Sequence, residues 1–230
     1  MTPRRHQSCL LAFIAMAAAA SVGLACRPHA RAFEPREGDL LFQDLDSGPL
    51  CKAIERVTKG YAGWNLSHVG IVGRAEGAPP LVIEAMPGGV RATLLSDFLV
   101  RSRDADGRPK VVVGRLRLGH RRLAARAVDA ATGLLGKPYD DVFAIGNDRY
   151  YCSELIYEAL RIVNGGEPLF DLAPMTFKDP ATGATDPVWA DYFQKLGIPI
   201  PEGKPGINPG SLSRSPKIEI IYAYGEPSHR

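Results

Sequence analysis

This 230-residue chain predicts an α+β fold, an antiparallel sheet flanked by helices, on three observations. Between residues 67 and 94 strand patterns follow one another with only turn residues between them, so neighbouring strands pair as hairpins and need no crossovers. Helical spacing appears apart from them, over residues 121–135 and 152–163. No linker, low-complexity stretch or internal repeat divides residues 33–230, which read as a single domain with one core.

The elements follow in chain order. Arg4 and Arg5 precede an uncharged apolar run over residues 10–25. That run is shorter than the roughly 20 residues a spanning helix needs, so residues 1–32 read as a secretory leader and the protein as exported. Two cleavage points fit. Ala30-Arg31-Ala32 is a small-x-small site that would free Phe33, whereas Gly23-Leu24-Ala25-Cys26 is an imperfect lipobox that would leave Cys26 lipidated. Cleavage is therefore expected near 32 or near 25, with membrane attachment only if Cys26 carries lipid.

Removing the leader changes the charge argument. Of 28 Lys and Arg, four (Arg4, Arg5, Arg27, Arg31) lie in residues 1–32, which leaves 24 against 25 Asp and Glu. The remaining chain is near neutral, and the pI of about 8.7 belongs to the whole precursor. No nucleic-acid partner is expected from it. Only Cys51 and Cys152 remain beyond residue 32. That is no disulfide scaffold, and a domain of this size does not need a bridge between them.

In the domain, residues 38–42 read as a strand and 49–59 as a helix ended by Gly60. Strands at 67–73, 81–86 and 90–94 are separated by Ala78-Pro79-Pro80 and Pro87-Gly88-Gly89. A helical turn around Asp97 precedes a strand at 110–117. The helix over 121–135 ends at Gly136 and Pro138, and that over 152–163 at Asn164-Gly165-Gly166. Residues 167–216, rich in Pro and Gly, read as a wrapping segment with one helix at 187–196 capped by Asp186, before a last strand at 218–222.

Three residues of these elements suggest chemistry. Cys152 opens a helix whose apolar stripe is Leu155, Ile156, Ala159, Leu160 and Val163, so it faces the sheet where unpaired N–H groups favour a thiolate. Glu154, in the same turn, reads as ordinary dipole compensation. His68 shares a strand face with Gly70 and Val72, a face expected to be open. Glu84 stands among Leu81, Val82, Ile83, Ala85 and Met86, where an unpaired charge costs several kcal/mol, so it needs a partner. If residue numbers across the hairpin sum to 154, Glu84 is opposite Gly70 and diagonal to His68, and a register shifted by two residues would put it directly opposite His68. A carboxylate could then hold one imidazole nitrogen while the other faces a thiol. The blander alternatives are a small buried thiol, a core histidine and a solvent-facing acid.

Gly136-Lys137-Pro138 makes a bend that could bring Tyr139 over the site as an oxyanion donor, or leave it a packing aromatic. Tyr151, next to Cys152, is a candidate pocket wall. No C-x-x-C, H-x-x-x-H or H-E-x-x-H spacing and no nucleotide-type glycine loop occurs, so neither a metal nor a cofactor is expected.

Taken as an ordered set, Gly38-Asp39-Leu40-Leu41, Ser67-His68-Val69-Gly70-Ile71, Ile83-Glu84-Ala85 and Tyr151-Cys152-Ser153-Glu154-Leu155 resemble the permuted papain-like amidases, the YiiX and YaeF group of circularly permuted NlpC/P60 proteins. The likeness covers about residues 36–165. Gly136-Lys137-Pro138-Tyr139 and Cys152-Ser153 are also similar to elements of ordinary NlpC/P60 peptidases, where cysteine precedes histidine. Tyr151 departs from those peptidases, which carry Asp there. The resemblance implies a papain-like core with Cys152 as nucleophile, His68 as base and Glu84 as the orienting third member. It implies amide hydrolysis through an acyl-enzyme, with a cell-wall-type peptide or peptidoglycan stem as substrate in a bacterial periplasm or envelope. The same triad also serves lipid acyl hydrolases and acyltransferases, and a catalytically silent binding module would keep the pocket alone.

Overall fold

A computed structural model describes residues 33–74 and 77–229. The leader, both cleavage points and Cys26 lie outside the described residues. Residues 33–230 form one compact unit.

Six strands make one sheet in which every neighbouring pair is antiparallel. They are β1 (Leu40–Gln43), β2 (His68–Gly73), β3 (Leu81–Met86), β4 (Gly89–Leu94), β5 (Val111–Leu116) and β8 (Ile218–Ala223), in spatial order β4-β3-β2-β1-β5-β8. The β2–β3 register pairs Ile71 with Ile83, Val72 with Val82 and Gly73 with Leu81. These are the sums of 154 expected from the hairpin.

Alternation along the strands divides the core in two. One face carries Leu40, Phe42, Val69, Ile71, Ile83 and Ala85 against α3 (Ala124–Gly133) and α4 (Cys152–Val163). The other carries Leu41, Val72, Val82, Val111 and Val113 around Phe98 of α2 (Leu95–Val100). All six residues of β2 are therefore buried, and the face of His68 is covered, not open. Phe98 covers it, because Gln43 Nε2 donates to the Phe98 carbonyl at 2.9 Å and Leu95 N–H to that of Pro80 at 3.0 Å, docking both ends of α2.

The helix after β5 starts later than the spacing implied. Residues Leu118–Leu123 form 3₁₀ turns and the α-helix occupies Ala124–Gly133. Helix α1 (Pro49–Val57) ends two residues early, where Thr58 turns extended and its hydroxyl donates to the Ile54 carbonyl at 2.9 Å. The helices Cys152–Val163 and α5 (Pro187–Leu196) have the expected bounds, and the Asp186 side chain accepts from Val188 N–H at 2.9 Å. The wrapping segment also holds a two-residue ribbon, β6 (Ala173–Pro174) with β7 (Pro205–Gly206), and a short helix α6 (Pro209–Ser213) capped by Asn208. Elements this short leave no periodicity to read.

Candidate active site

His68 begins β2, so its imidazole lies at the end of the sheet. There a residue of the α2 face can meet Cys152, which packs in the core of the opposite face. Cys152 is the first residue of α4 and is 8% exposed. The two side chains interact, and the interaction favours a charged imidazole. His68 Nε2 is 2.7 Å from Glu84 Oε2, which leaves Nδ1 for the sulfur. Glu84 reaches His68 because position 70 is glycine. A Cβ there would lie 2.4 Å from Val82 Cγ1 and 3.4 Å from Glu84 Cβ, in the space across which the carboxylate extends.

Glu84 is wholly buried and its need for a partner is met several times over. Arg101, the residue that ends α2, donates from Nη1 to Oε2 at 2.7 Å and from Nη2 to Oε1; Thr93 Oγ1 donates to Oε1 at 2.6 Å. Arg91, paired opposite Glu84 on β4, brings Nε within 3.5 Å. Burial opposes the charged carboxylate, yet the hydrogen bonds from Arg101, His68 and Thr93 outweigh it and hold Glu84 well below the usual carboxylate range. For His68, burial again opposes charge, and the hydrogen bonds to Cys152 and Glu84 raise the imidazole to about 9. The site therefore favours an imidazolium between a sulfur and a carboxylate.

The remaining predicted residues line the same cavity, of about 390 Å³. Tyr139 is placed by two backbone bonds, Tyr150 N–H to the Pro138 carbonyl at 3.0 Å and Asp140 N–H to that of Tyr150 at 3.3 Å. Gly89 allows this segment to dock on β4, since a Cβ there, at φ +115°, would sit 2.5 Å from the Lys137 carbonyl oxygen. Burial, then the charge of Cys152, pushes the Tyr139 phenol well above its ordinary value, so it stays a donor. Tyr151 forms cavity wall as expected. Its phenol oxygen accepts from Ile207 N–H at 3.1 Å, and Ser153 Oγ donates to the Ile207 carbonyl at 2.9 Å. No side chain caps α4, which leaves its first N–H groups for a ligand.

Glu154 does not face solvent as dipole compensation would have it. It is 2% exposed, accepts from Gly146 N–H at 3.1 Å, and burial with Asp140 nearby raises it to about 8. Cys51 and Cys152 are both free thiols. Cys51 lies on the cavity wall 3.1 Å from Ser47 Oγ, and burial raises its thiol.

With that geometry in view, the comparisons with known proteins are specific. Residues 34–222 match the family model described as the permuted papain-like amidase enzyme, YaeF/YiiX, C92 family. The chain belongs to this family. It is 31% identical over 197 residues to the uncharacterized protein YiiX of Escherichia coli K12, covering 83% of this chain and 87% of that one. The crystal structure of YiiX from Escherichia coli O157:H7 superposes with a TM-score of 0.65 at 24% identity, over 85% of this chain and all of that one, which supports the fold. That protein is described as a metalloprotein. Among the described residues here no group of three or more His, Cys, Asp or Glu is arranged to hold a metal, and both Glu84 oxygens are taken by Arg101.

Membership makes this a papain-like amidase fold. Three members of the site escape sequence reasoning: Arg101, Thr93 and Gln43. A signal existed for the cations, because a buried carboxylate demands one, but only the hairpin pairing with Arg91 could be drawn from strand register.

Proposed function

We propose that the chain is an exported cysteine hydrolase that cleaves an amide bond with Cys152, His68 and Glu84. The observation behind this is that Cys152 and His68 share the wall of one cavity and interact, while His68 is held from behind by Glu84 at 2.7 Å. The thiolate attacks the carbonyl carbon, while the first N–H groups of α4 and the Tyr139 hydroxyl stabilise the oxyanion. The C–N bond breaks as the His68 imidazolium gives its proton to the departing nitrogen. His68 then takes a proton from water, which attacks the thioester and releases a carboxylic acid and free Cys152.

The lining favours a particular acyl group. Leu45, Ile54, Met86, Phe143, Met175 and Trp189 are among many apolar walls, and among the described residues no Lys, Arg, Asp or Glu lines the cavity. A volume of about 390 Å³ falls in the small-molecule range of roughly 300–1,000 Å³. A neutral, apolar acyl part is thus the best match, whereas the carboxylates of a cell-wall stem peptide find no lysine or arginine among the described lining residues.

The test measures amine release by residues 33–230 from acetyl, octanoyl and lauroyl p-nitroanilides beside a cell-wall stem peptide. Turnover that rises with acyl length and is lost in Cys152→Ala and His68→Ala supports the proposal. Turnover of the stem peptide alone moves the substrate to the cell wall. Binding of the acyl compounds without turnover, unaffected by alkylation of Cys152, overturns the enzymatic assignment in favour of a binding module.

A further inference from the structure

The most heavily bonded group in the site is Glu84, and its principal partner has no place in a three-residue triad. Arg101 comes from α2, an element otherwise remote from the nucleophile. Its side chain is 19% exposed, against 0% for Glu84. The guanidinium lies 5.2 Å from the centroid of Phe98, and the same ring lies 5.8 Å from that of His68. Gln43, paired opposite His68 on β1, anchors that turn through the Phe98 carbonyl. Phe98 thus touches both the base and the arginine.

The groups facing His68 are Glu84 on β3, Cys152 on α4, neutral Gln43 on β1 and the Phe98 ring on α2. Those facing Glu84 are His68, Arg101, Arg91 and Thr93. A buried carboxylate 2.7 Å from an imidazolium attracts it strongly in a low-dielectric interior. That attraction orients the ring, and it also resists release of the proton a leaving group must receive. General acids work best when their proton is neither too loosely nor too tightly held.

We propose that Arg101 is a positioning residue of the triad: its two-pronged grip on Glu84 fixes the oxygen that orients His68 and offsets enough of the carboxylate charge to let the imidazolium proton leave. This rests on the Cys152–His68–Glu84 assignment above and adds a fourth member that acts through Glu84. Arginine suits the task because its planar fork matches both carboxylate oxygens, which a lysine ammonium cannot do.

The sign of the effect separates this role from a structural one. Removing a nearby positive charge makes every proton in the site harder to lose, so the His68 titration moves up. If Arg101 only braced α2 against β3, its loss would slacken Glu84, weaken the His68 contact and move the titration down. The experiment is an NMR titration of residues 33–230 labelled at the histidine ring carbons, in the parent, Arg101→Lys and Arg101→Met. Only His120 and His229 accompany His68 there.

The parent midpoint is expected near 9. Arg101→Met should raise it by about one unit, with Arg101→Lys between the two, and anilide kcat should fall while KM holds. An unchanged or lower midpoint in Arg101→Met, with the parent near 9, overturns the inference alone. A parent midpoint near the ordinary 6.5 that ignores Cys152→Ser overturns the triad, and this inference with it. If Arg101→Met does not fold, Arg101→Gln, which also removes the charge but can still hydrogen-bond Glu84, decides: a raised midpoint supports the role and an unraised one refutes it.

Discussion

Glu84 and Glu154 are two buried carboxyls, one on the strand next to the histidine and bonded to it, the other on α4 two residues past the cysteine. Burial penalises charge in both. Glu84 receives Arg101, Thr93 and His68 and is driven down; Glu154 receives the Gly146 N–H, has a second oxygen without a hydrogen-bond partner among the described residues, and is driven up to about 8. Partners, not depth, decide which acid is charged. The strand side of the site thus holds a permanent anion that steadies an imidazolium, while the helix that begins with Cys152 keeps a neutral acid in its first turn.

Substituting the charged member should have the largest effect. Glu84→Gln leaves Arg101 without its counter-charge in a buried setting, a loss expected to cost about 3–5 kcal/mol in urea unfolding. With the imidazole unsteadied, turnover should fall at least about 10²-fold. Stability within about 1 kcal/mol of the parent would mean that Glu84 is no more committed to its charge than Glu154 is.

Glu154→Gln tests the other side and should act through pH. An unfolded glutamate loses its proton near 4.5 and the folded one near 8, so the folded state binds more protons and parent stability falls as pH rises through that window. His68, raised to about 9, adds a loss in the same direction at higher pH, and Glu84, held low, contributes stability that is lost only in acid. The difference between parent and Glu154→Gln isolates Glu154. Melting temperatures should diverge in favour of the variant from about pH 5 to about pH 9. Parallel curves would place Glu154 with the ionised acids.

Asp186 offers a milder contrast. It caps α5, pairs with Arg56 of α1 and is held below its ordinary value by that arginine. Its partners lie close to solvent, so Asp186→Ala should cost about 1 kcal/mol in thermal unfolding and leave the His68 titration where it was. A shift of that titration would tie the α1–α5 contact to the base.

The legibility of the site follows the same division. The turn narrows the β2–β3 hairpin to two registers, and in either the alternation puts Glu84 on the face of His68. The apolar stripe of α4 placed Cys152 toward the sheet, and Asp186 followed by Pro187 marked the start of α5. Each is a local rule acting over a few residues. Arg101 is different, because its approach to Glu84 depends on α2 folding back over the sheet, which nothing between residues 94 and 101 encodes by periodicity. Glu154 departs from expectation for a related reason: the first turn of a helix is usually solvated, whereas here the loop held by Asp140, which accepts from Val142 and Ala144 N–H at 3.1 and 2.6 Å, accompanies a buried Glu154 bonded to Gly146 N–H.

The clamp on Ile207 has a consequence in time. Translation delivers His68 and Glu84 first, then Cys152, and only some fifty residues later the backbone that Tyr151 and Ser153 grip. Strand β8, which pairs with β5 at the rim of the sheet, comes later still. A growing chain therefore owns its base before its nucleophile, and its nucleophile before the seat of that nucleophile. Thiol reactivity should mature with chain completion, so that an unfinished chain carries the chemistry in its sequence without yet exercising it.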